Sequence, residues 1–218
     1  MKRPQSQNIS LIAFDLDGTL IEGMVYVWQR LHEGMGSDVA RRRQAAQDFF
    51  AGRIDYRDWF QTDLTLLQER GATRARLLEC FSSLRLGAGV VETLEALRAR
   101  GIRTGIISGS VDLLLEAFLP PQLFDHIFIN RFTFDEAGLL NGGEPTPYDL
   151  NGKAEGLREM ARREGLSVEH CAFVGDNVND LEVLSVAGLA LAINPKHDDV
   201  VAAAHRVLGS IPELLALV

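Results

Sequence analysis

An open, mostly parallel α/β sheet with a helical insertion after its first strand is the fold class that the sequence predicts. Three observations carry this reading. Short apolar runs at 9–15, 102–108, 126–130, 171–176 and 189–194 alternate with segments of helical periodicity. Strands buried on both faces read as continuous apolar runs, the pattern of a parallel sheet covered by helices. The stretch 22–85 breaks the alternation, with helical pattern and no strand signal from 24 to about 84. An insertion at that point stands above the carboxyl ends of the strands, where open α/β sheets bind ligands.

Each element has a local reason. The first strand, 9–15, is apolar up to Phe14 and then meets carboxylates. "VETLEALRARG" places Val91, Leu94 and Leu97 on one helical face and ends at Gly101, a C-cap residue. "IRTGIIS" is the second strand, and "SVDLLLEAFL" a helix that stops before Pro120 and Pro121. "HIFIN" is the third strand, followed by "RFTFDEAGLLNGG", a hairpin with its turn near Asp135–Gly138. Asn151 can cap a helix running to about Glu164, closed by Gly165. "CAFVGD" is the fourth strand, "NDLEVLSVAG" a helix and "LALAIN" the fifth strand. A short helix, the strand "HRVL" and a terminal helix complete the chain.

A length of 218 residues suits one large domain or a domain with an insert. The net charge of −8 opposes a general nucleic-acid or anionic-membrane surface, so a bound phosphate needs a local cation or dipole. Cys80 and Cys171 are far apart and in no CxxC pattern, which argues against a disulfide scaffold or zinc site; Cys171 reads as a core thiol. The N-terminal "MKRPQSQN" is polar, with no apolar signal core, and no apolar run approaches the roughly 18 residues of a membrane span. A soluble, cytoplasmic protein is expected, its oligomeric state open.

Polar residues collect at the strand ends. The first strand ends in Asp15 and Asp17, within "FDLDGTL". The second ends in Ser108, Gly109 and Ser110; the fourth in Asp176, Asn177, Asn179 and Asp180; and Lys153 opens the helix before the fourth. In a parallel sheet these ends converge on one edge. Two carboxylates two residues apart disfavour each other's ionisation, so a cation or proton must offset them. Clustered carboxylates with a turn carbonyl suit a hard divalent cation, and Mg²⁺ over zinc because the donors are oxygens. Mg²⁺ with Lys153 neutralises a bound phosphate, and Ser108 with nearby backbone N–H groups can hold phosphoryl oxygens at a helix N-terminus. Asp15 can attack phosphorus, and Asp17 can protonate the leaving oxygen and then activate water.

The four motifs "DLDGTL", "IISGS", Lys153 and "GDNVND", in that order, resemble those of the haloacid dehalogenase-like superfamily of phosphohydrolases. The helical insert, "GRIDY" within it and "LLNGGE" are similar to the branch that contains phosphoserine phosphatase. The resemblance covers roughly 9–20 and 86–210, and implies a three-layer, Rossmann-like core of residues 1–20 and 86–218 with an all-helical cap of residues 21–85. It implies that Asp15 is the nucleophile forming an aspartyl-phosphate and that Asp17 is the acid/base. Asp15, the Asp17 main-chain oxygen and Asp176 would bind Mg²⁺; Ser108, Gly109 and Lys153 would hold the phosphoryl group, and Asn179 would contact it. Asp180 and Thr19 would support the site, Asp180 by orienting Lys153 or a metal-bound water.

The phosphoserine enzymes typically place a glutamate after the first motif and an arginine seven residues after the aromatic of the "GRIDY"-like segment. Here those places hold Met24, with Glu22 nearby, and Asp63, counted from Tyr56; Arg57 or Arg53 could substitute for the arginine. Trp28, Tyr56 and Trp59 with Asp63 can hold a cationic or neutral headgroup, or the tryptophans pack the cap's own helices. The "ARRRQ" run (40–44) reads as a solvated helix face, Asn177 as a cap, and the five histidines are assigned no chemistry. Three functions follow: a Mg²⁺-dependent phosphomonoesterase on a small phosphorylated metabolite, with phosphoserine the leading named substrate; a phosphoryl-transferring mutase; and a non-catalytic phosphometabolite sensor.

Overall fold

The computed structural model describes residues 8–218; the polar stretch 1–7 lies outside the described residues. In chain order the first half contains β1 (Leu11–Phe14), β2 (Ile21–Glu22), α1 (Val27–Met35), α2 (Val39–Phe50), α3 (Tyr56–Gln68), α4 (Arg74–Glu79) and β3 (Arg85–Leu86). The second contains α5 (Val90–Ala99), β4 (Arg103–Val111), α6 (Asp112–Phe118), β5 (His126–Phe134), β6 (Leu140–Glu144), α7 (Lys153–Arg163), β7 (Cys171–Gly175), α8 (Leu181–Val186), β8 (Leu189–Ile193), α9 (Asp198–Ala203) and β9 (Arg206–Leu208). Seven strands form one sheet in the order β6-β5-β4-β1-β7-β8-β9. Every pairing in it is parallel except β5 with β6.

β1 lies at the centre, with Leu11 facing Arg103 of β4 and Cys171 of β7. Its side chains alternate between faces. Ile12 and Phe14 enter one core cluster with Leu94, Leu97 and the cap residues Leu31, Leu64 and Leu67. Leu11 and Ala13 enter the other, with Leu157, Met160 and Phe173. Both halves of β1 are thus fully buried, which fixes where its next residues, Asp15 to Asp17, emerge. Cys171 is buried in the second cluster, as its apolar run implies.

Several boundaries differ from the sequence expectation. The third strand and the first arm of the hairpin are one nine-residue strand, β5. The hairpin closes with the Asp135 carboxylate accepting from the backbone of Ala137 and Leu139. β4 runs through Ser108–Ser110 to Val111, with a register shift against β5 between Ile107 and Val111. Ser108 therefore lies in an irregular strand end, four residues before α6, and not at a helix N-terminus. β2 and β3 form a two-residue antiparallel ribbon at the base of the helical insert, too short to give a periodic signal. α7 starts at Lys153 after a 3-10 turn at Leu150–Gly152, where the Asp149 carboxylate accepts from Leu150 N at 2.6 Å. The Asn151 side chain, expected to cap α7, is outside the described residues. The terminal helix is a 3-10 segment, Ile211–Ala216. Among the described residues no helix is long and apolar enough to cross a membrane.

Candidate active site

The carboxyl ends of β1, β4 and β7 bring the predicted residues together. After Phe14 the chain keeps one more ladder bond, Asp15 N donating to Val174 O at 2.9 Å, then turns. Leu16 O accepts from the N–H groups of Thr19, Leu20 and Ile21, which closes a tight loop. Gly18 makes this possible: its φ is +76°, and a Cβ there would sit 2.2 Å from Asp176 Oδ2. Thr19 Oγ1 donates to Asp176 Oδ1 at 3.2 Å, so Thr19 ties the first motif to the fourth strand end.

Lys153 is wholly buried, its Nζ 3.1 Å from Asp15 Oδ2 and 2.6 Å from Asp180 Oδ1. Burial alone would strip its proton, but Asp15 and Asp180 hold it and raise its pKa. Asp180 also accepts from the N–H groups of Asp176 (2.9 Å) and Asn177 (3.1 Å). It thus orients Lys153 and the strand end together. Asn177 caps the 3-10 turn Val178–Asp180, as expected, and its Nδ2 donates to Tyr26 OH at 3.1 Å.

The two carboxylates of "FDLDGTL" have different surroundings. Asp15 faces Lys153. Asp17 is pushed up to about 7 by burial and by Asp15. Asp17 Oδ2 accepts from Val27 N, the first residue of α1, while Oδ1 is buried without a partner. Asp176 is also driven upward, by burial first and then by Asp15 and Asp180.

Asp15, Asp176 and Asp180 present carboxylate oxygens within 4.8 Å of one another. Asp180 spends its lone pairs on Lys153 and two backbone donors, whereas Asp176 Oδ2 is buried with no hydrogen-bond partner. An orphaned carboxylate oxygen beside a second carboxylate fits a hard divalent cation. Lys196, from the loop after β8, places its Nζ 3.8 Å from Asp176 Oδ2. The sequence reading missed it; the signal was its place just past another strand end.

A cavity of about 340 Å³ opens above these residues. Ser108, Gly109, Ser110 and Asn179 line its floor, with the Ser110 hydroxyl and Asn179 Oδ1 buried and unpartnered. Its roof is aromatic, including Tyr26, Tyr56, Trp59 and Phe60. Trp28 and Trp59 pack against neighbouring aromatic rings and also line the cavity. Trp28 packs edge-on against Phe60 and Phe132 (5.7 and 5.6 Å), Trp59 lies 4.8 Å from Phe49, and both face the cavity.

The expected substitutes for the missing glutamate and arginine are elsewhere. Glu22 is exposed, Met24 joins the core cluster, and Arg53 pairs with Asp48 on the surface. Asp63 does line the cavity, but it is buried beside His32 Nε2 (3.0 Å) and Arg42 Nε (3.8 Å). The "ARRRQ" run is accordingly not a uniformly solvated face: Arg41 pairs with Glu69 outside, whereas Arg42 turns inward to the cavity.

A model described as haloacid dehalogenase-like hydrolase matches residues 9–188. The phosphoserine phosphatase of Mycobacterium tuberculosis is 32% identical over 187 residues, covering 85% of this chain and 44% of that protein. The phosphoserine phosphatase of Archaeoglobus fulgidus is 27% identical over 186 residues, covering 85% and 53%. The chain thus spans about half the length of these two relatives. A solved structure titled as a phospho-aspartyl intermediate analogue of phosphoserine phosphatase superposes with a TM-score of 0.71 at 23% identity, covering 97% of this chain and 99% of that one, a likeness of fold. With the matched model spanning β1 through α8, including the strand ends that carry Asp15 and Asp176 and the start of α7 at Lys153, the chain belongs to the haloacid dehalogenase-like hydrolases.

Proposed function

We propose that the chain is a Mg²⁺-dependent phosphomonoesterase that hydrolyses a small phosphorylated metabolite through an aspartyl-phosphate on Asp15. The observation that carries this is the unlike pair on one turn: Asp15 opposite a buried ammonium at 3.1 Å, and Asp17 pushed up to about 7. Carboxyl groups with such unlike surroundings take different roles. Asp15 attacks phosphorus. Asp17, protonated near neutral pH, gives its proton to the leaving oxygen, then takes one from the water that cleaves the acyl phosphate.

Asp15, Asp176 and the Asp17 main-chain oxygen would hold Mg²⁺, which supplies charge neutralisation at the phosphoryl oxygens. Lys153 adds a fixed positive charge, and Ser108, the Gly109 backbone and Asn179 orient the phosphoryl group. The relatives' names make L-phosphoserine the first ester to test, and Arg42 is the guanidinium lining the cavity. A cytoplasmic setting agrees with two free cysteines, Cys80 and Cys171.

The test is phosphate release with Mg²⁺ from phosphoserine and a panel of sugar, amine, nucleotide and glycerol phosphates. The parent is expected to turn over at least one ester, and Asp15→Asn to lose about a thousandfold or more. Equal rates for the two proteins would overturn the reading. Transfer of the phosphoryl group to a second alcohol instead of water would favour a mutase.

A further inference from the structure

The Gly109 carbonyl, in the irregular end of β4, accepts two hydrogen bonds from distant parts of the chain. Trp28 Nε1, on α1 of the insert, donates at 2.9 Å, and Asn130 Nδ2, on β5, donates at 2.7 Å. The Asn130 amide is itself fixed, because its Oδ1 accepts from Thr146 N at 2.8 Å. Its Nδ2 also donates to Tyr56 OH at 3.0 Å. Tyr56 opens α3 of the insert, and its hydroxyl donates to Asp149 Oδ2 at 2.8 Å. Asp149 in turn lies against Gly109, where a Cβ would meet its Oδ2 at 2.1 Å. Two residues of the insert and two of the core therefore gather around one backbone carbonyl, with a hydrogen-bonded chain running from it through Asn130 and Tyr56 to Asp149. Asn130 is fully buried in it.

We propose that Tyr56 is a positioning residue whose hydroxyl, held between Asp149 and Asn130, docks the insert onto the Gly109 segment, so that closing the insert and shaping the phosphoryl cradle are one event. The cradle part rests on the phosphatase reading. The phenol is what matters, since a phenyl ring fills the same space but leaves Asp149 Oδ2 without its donor and one Asn130 Nδ2 hydrogen without its acceptor, the bond to the Gly109 carbonyl alone remaining. A buried polar group left unpaired opposes the docked arrangement, and the arrangement with the insert lifted away, where water satisfies both, gains population.

The chain's two tryptophans, Trp28 and Trp59, both line the cavity and report its closure. Acrylamide quenching of their fluorescence in the free protein is expected to rise about twofold in Tyr56→Phe. With Mg²⁺ present, inorganic phosphate is expected to protect the tryptophans of the parent, and the phosphate concentration at half-protection to rise about tenfold in Tyr56→Phe, the scale of one hydrogen bond to a charged group. Asp149→Asn, which keeps an acceptor for the phenol, falls between the two; it carries the same comparison should Tyr56→Phe fail to fold. Unchanged quenching, or an unchanged phosphate midpoint, in Tyr56→Phe overturns the proposal while an active parent keeps the phosphatase reading intact. A parent that neither binds nor releases phosphate sinks the phosphatase reading and the cradle coupling with it, and the quenching arm still decides whether Tyr56 docks the insert.

Discussion

At Asp17 the fold holds a proton that the unfolded chain would release. Its carboxyl is raised from 3.8 to about 7, by burial first and by Asp15 second. The folded state therefore binds more protons between those values, and stability falls as pH rises from about 4 to about 7, then stays at its reduced level. In metal-free protein, Asp17→Asn removes this penalty and keeps a polar group beside Val27 N. Its stabilisation over the parent is expected to be larger at pH 8 than at pH 5 by about 2 kcal/mol, read from urea unfolding at both values. An equal effect at the two pH values would show that Asp17 titrates normally. The same variant should lose most phosphatase activity, so one carboxyl would cost stability and serve chemistry. Opposite it, Lys153 is surrounded by Asp15 and Asp180 and is fully buried, a position that its place at the start of a helix did not reveal.

Among the elements, the turn after β1 bears the tightest constraint. Gly18→Ala puts a methyl group 2.2 Å from Asp176 Oδ2 on a backbone with φ +76°. A loss of about 2 kcal/mol or more in thermal unfolding is expected, together with loss of activity; a variant as stable as the parent would show that the turn relaxes. This turn was legible in the sequence, and so was the convergence of Asp15, Ser108, Lys153 and Asp176. Strand order and strand ends follow from apolar runs, and parallel pairing puts those ends on one edge. What stayed hidden depends on partners far along the chain. Asn130 reads as the end of an apolar strand, yet it bonds to Gly109 and Tyr56. His32 and Asp63 look unrelated at a spacing of 31 residues but lie 3.0 Å apart on neighbouring helices. Arg42 looks like its neighbours Arg41 and Arg43 until α2 packs, and only then does one of the three turn inward. Periodicity reports which face of an element is buried; it does not report what a polar side chain meets there.

For the molecule as a whole, the acidic cluster and the cavity above it tie stability to ligand. Adding Mg²⁺ to metal-free protein at pH 8 is expected to raise the thermal midpoint by roughly 5–10 °C near a hundredfold excess over the dissociation constant. Chelation should reverse the shift, and Asp176→Asn should shrink it, since Asp176 Oδ2 accepts no hydrogen bond and meets only the Lys196 ammonium at 3.8 Å. An unmoved midpoint in the parent would argue against a divalent site. The insert that roofs the cavity departs from and returns to the core side by side: Ile21 pairs with Leu86, Glu22 with Arg85, and Gly87 N donates to Leu20 O at 2.9 Å. The seven-stranded sheet therefore meets the insert as it would meet a short loop, with entry and exit adjacent whatever lies between. Lengthening such an excursion costs only about 0.6 kcal/mol per doubling. The roof is in that sense an exchangeable cassette. On the proposed phosphatase reading, a lineage can replace the residues of the roof wholesale while Asp15, Lys153 and Asp176 stay fixed below, and selectivity can drift without the chemistry being rebuilt.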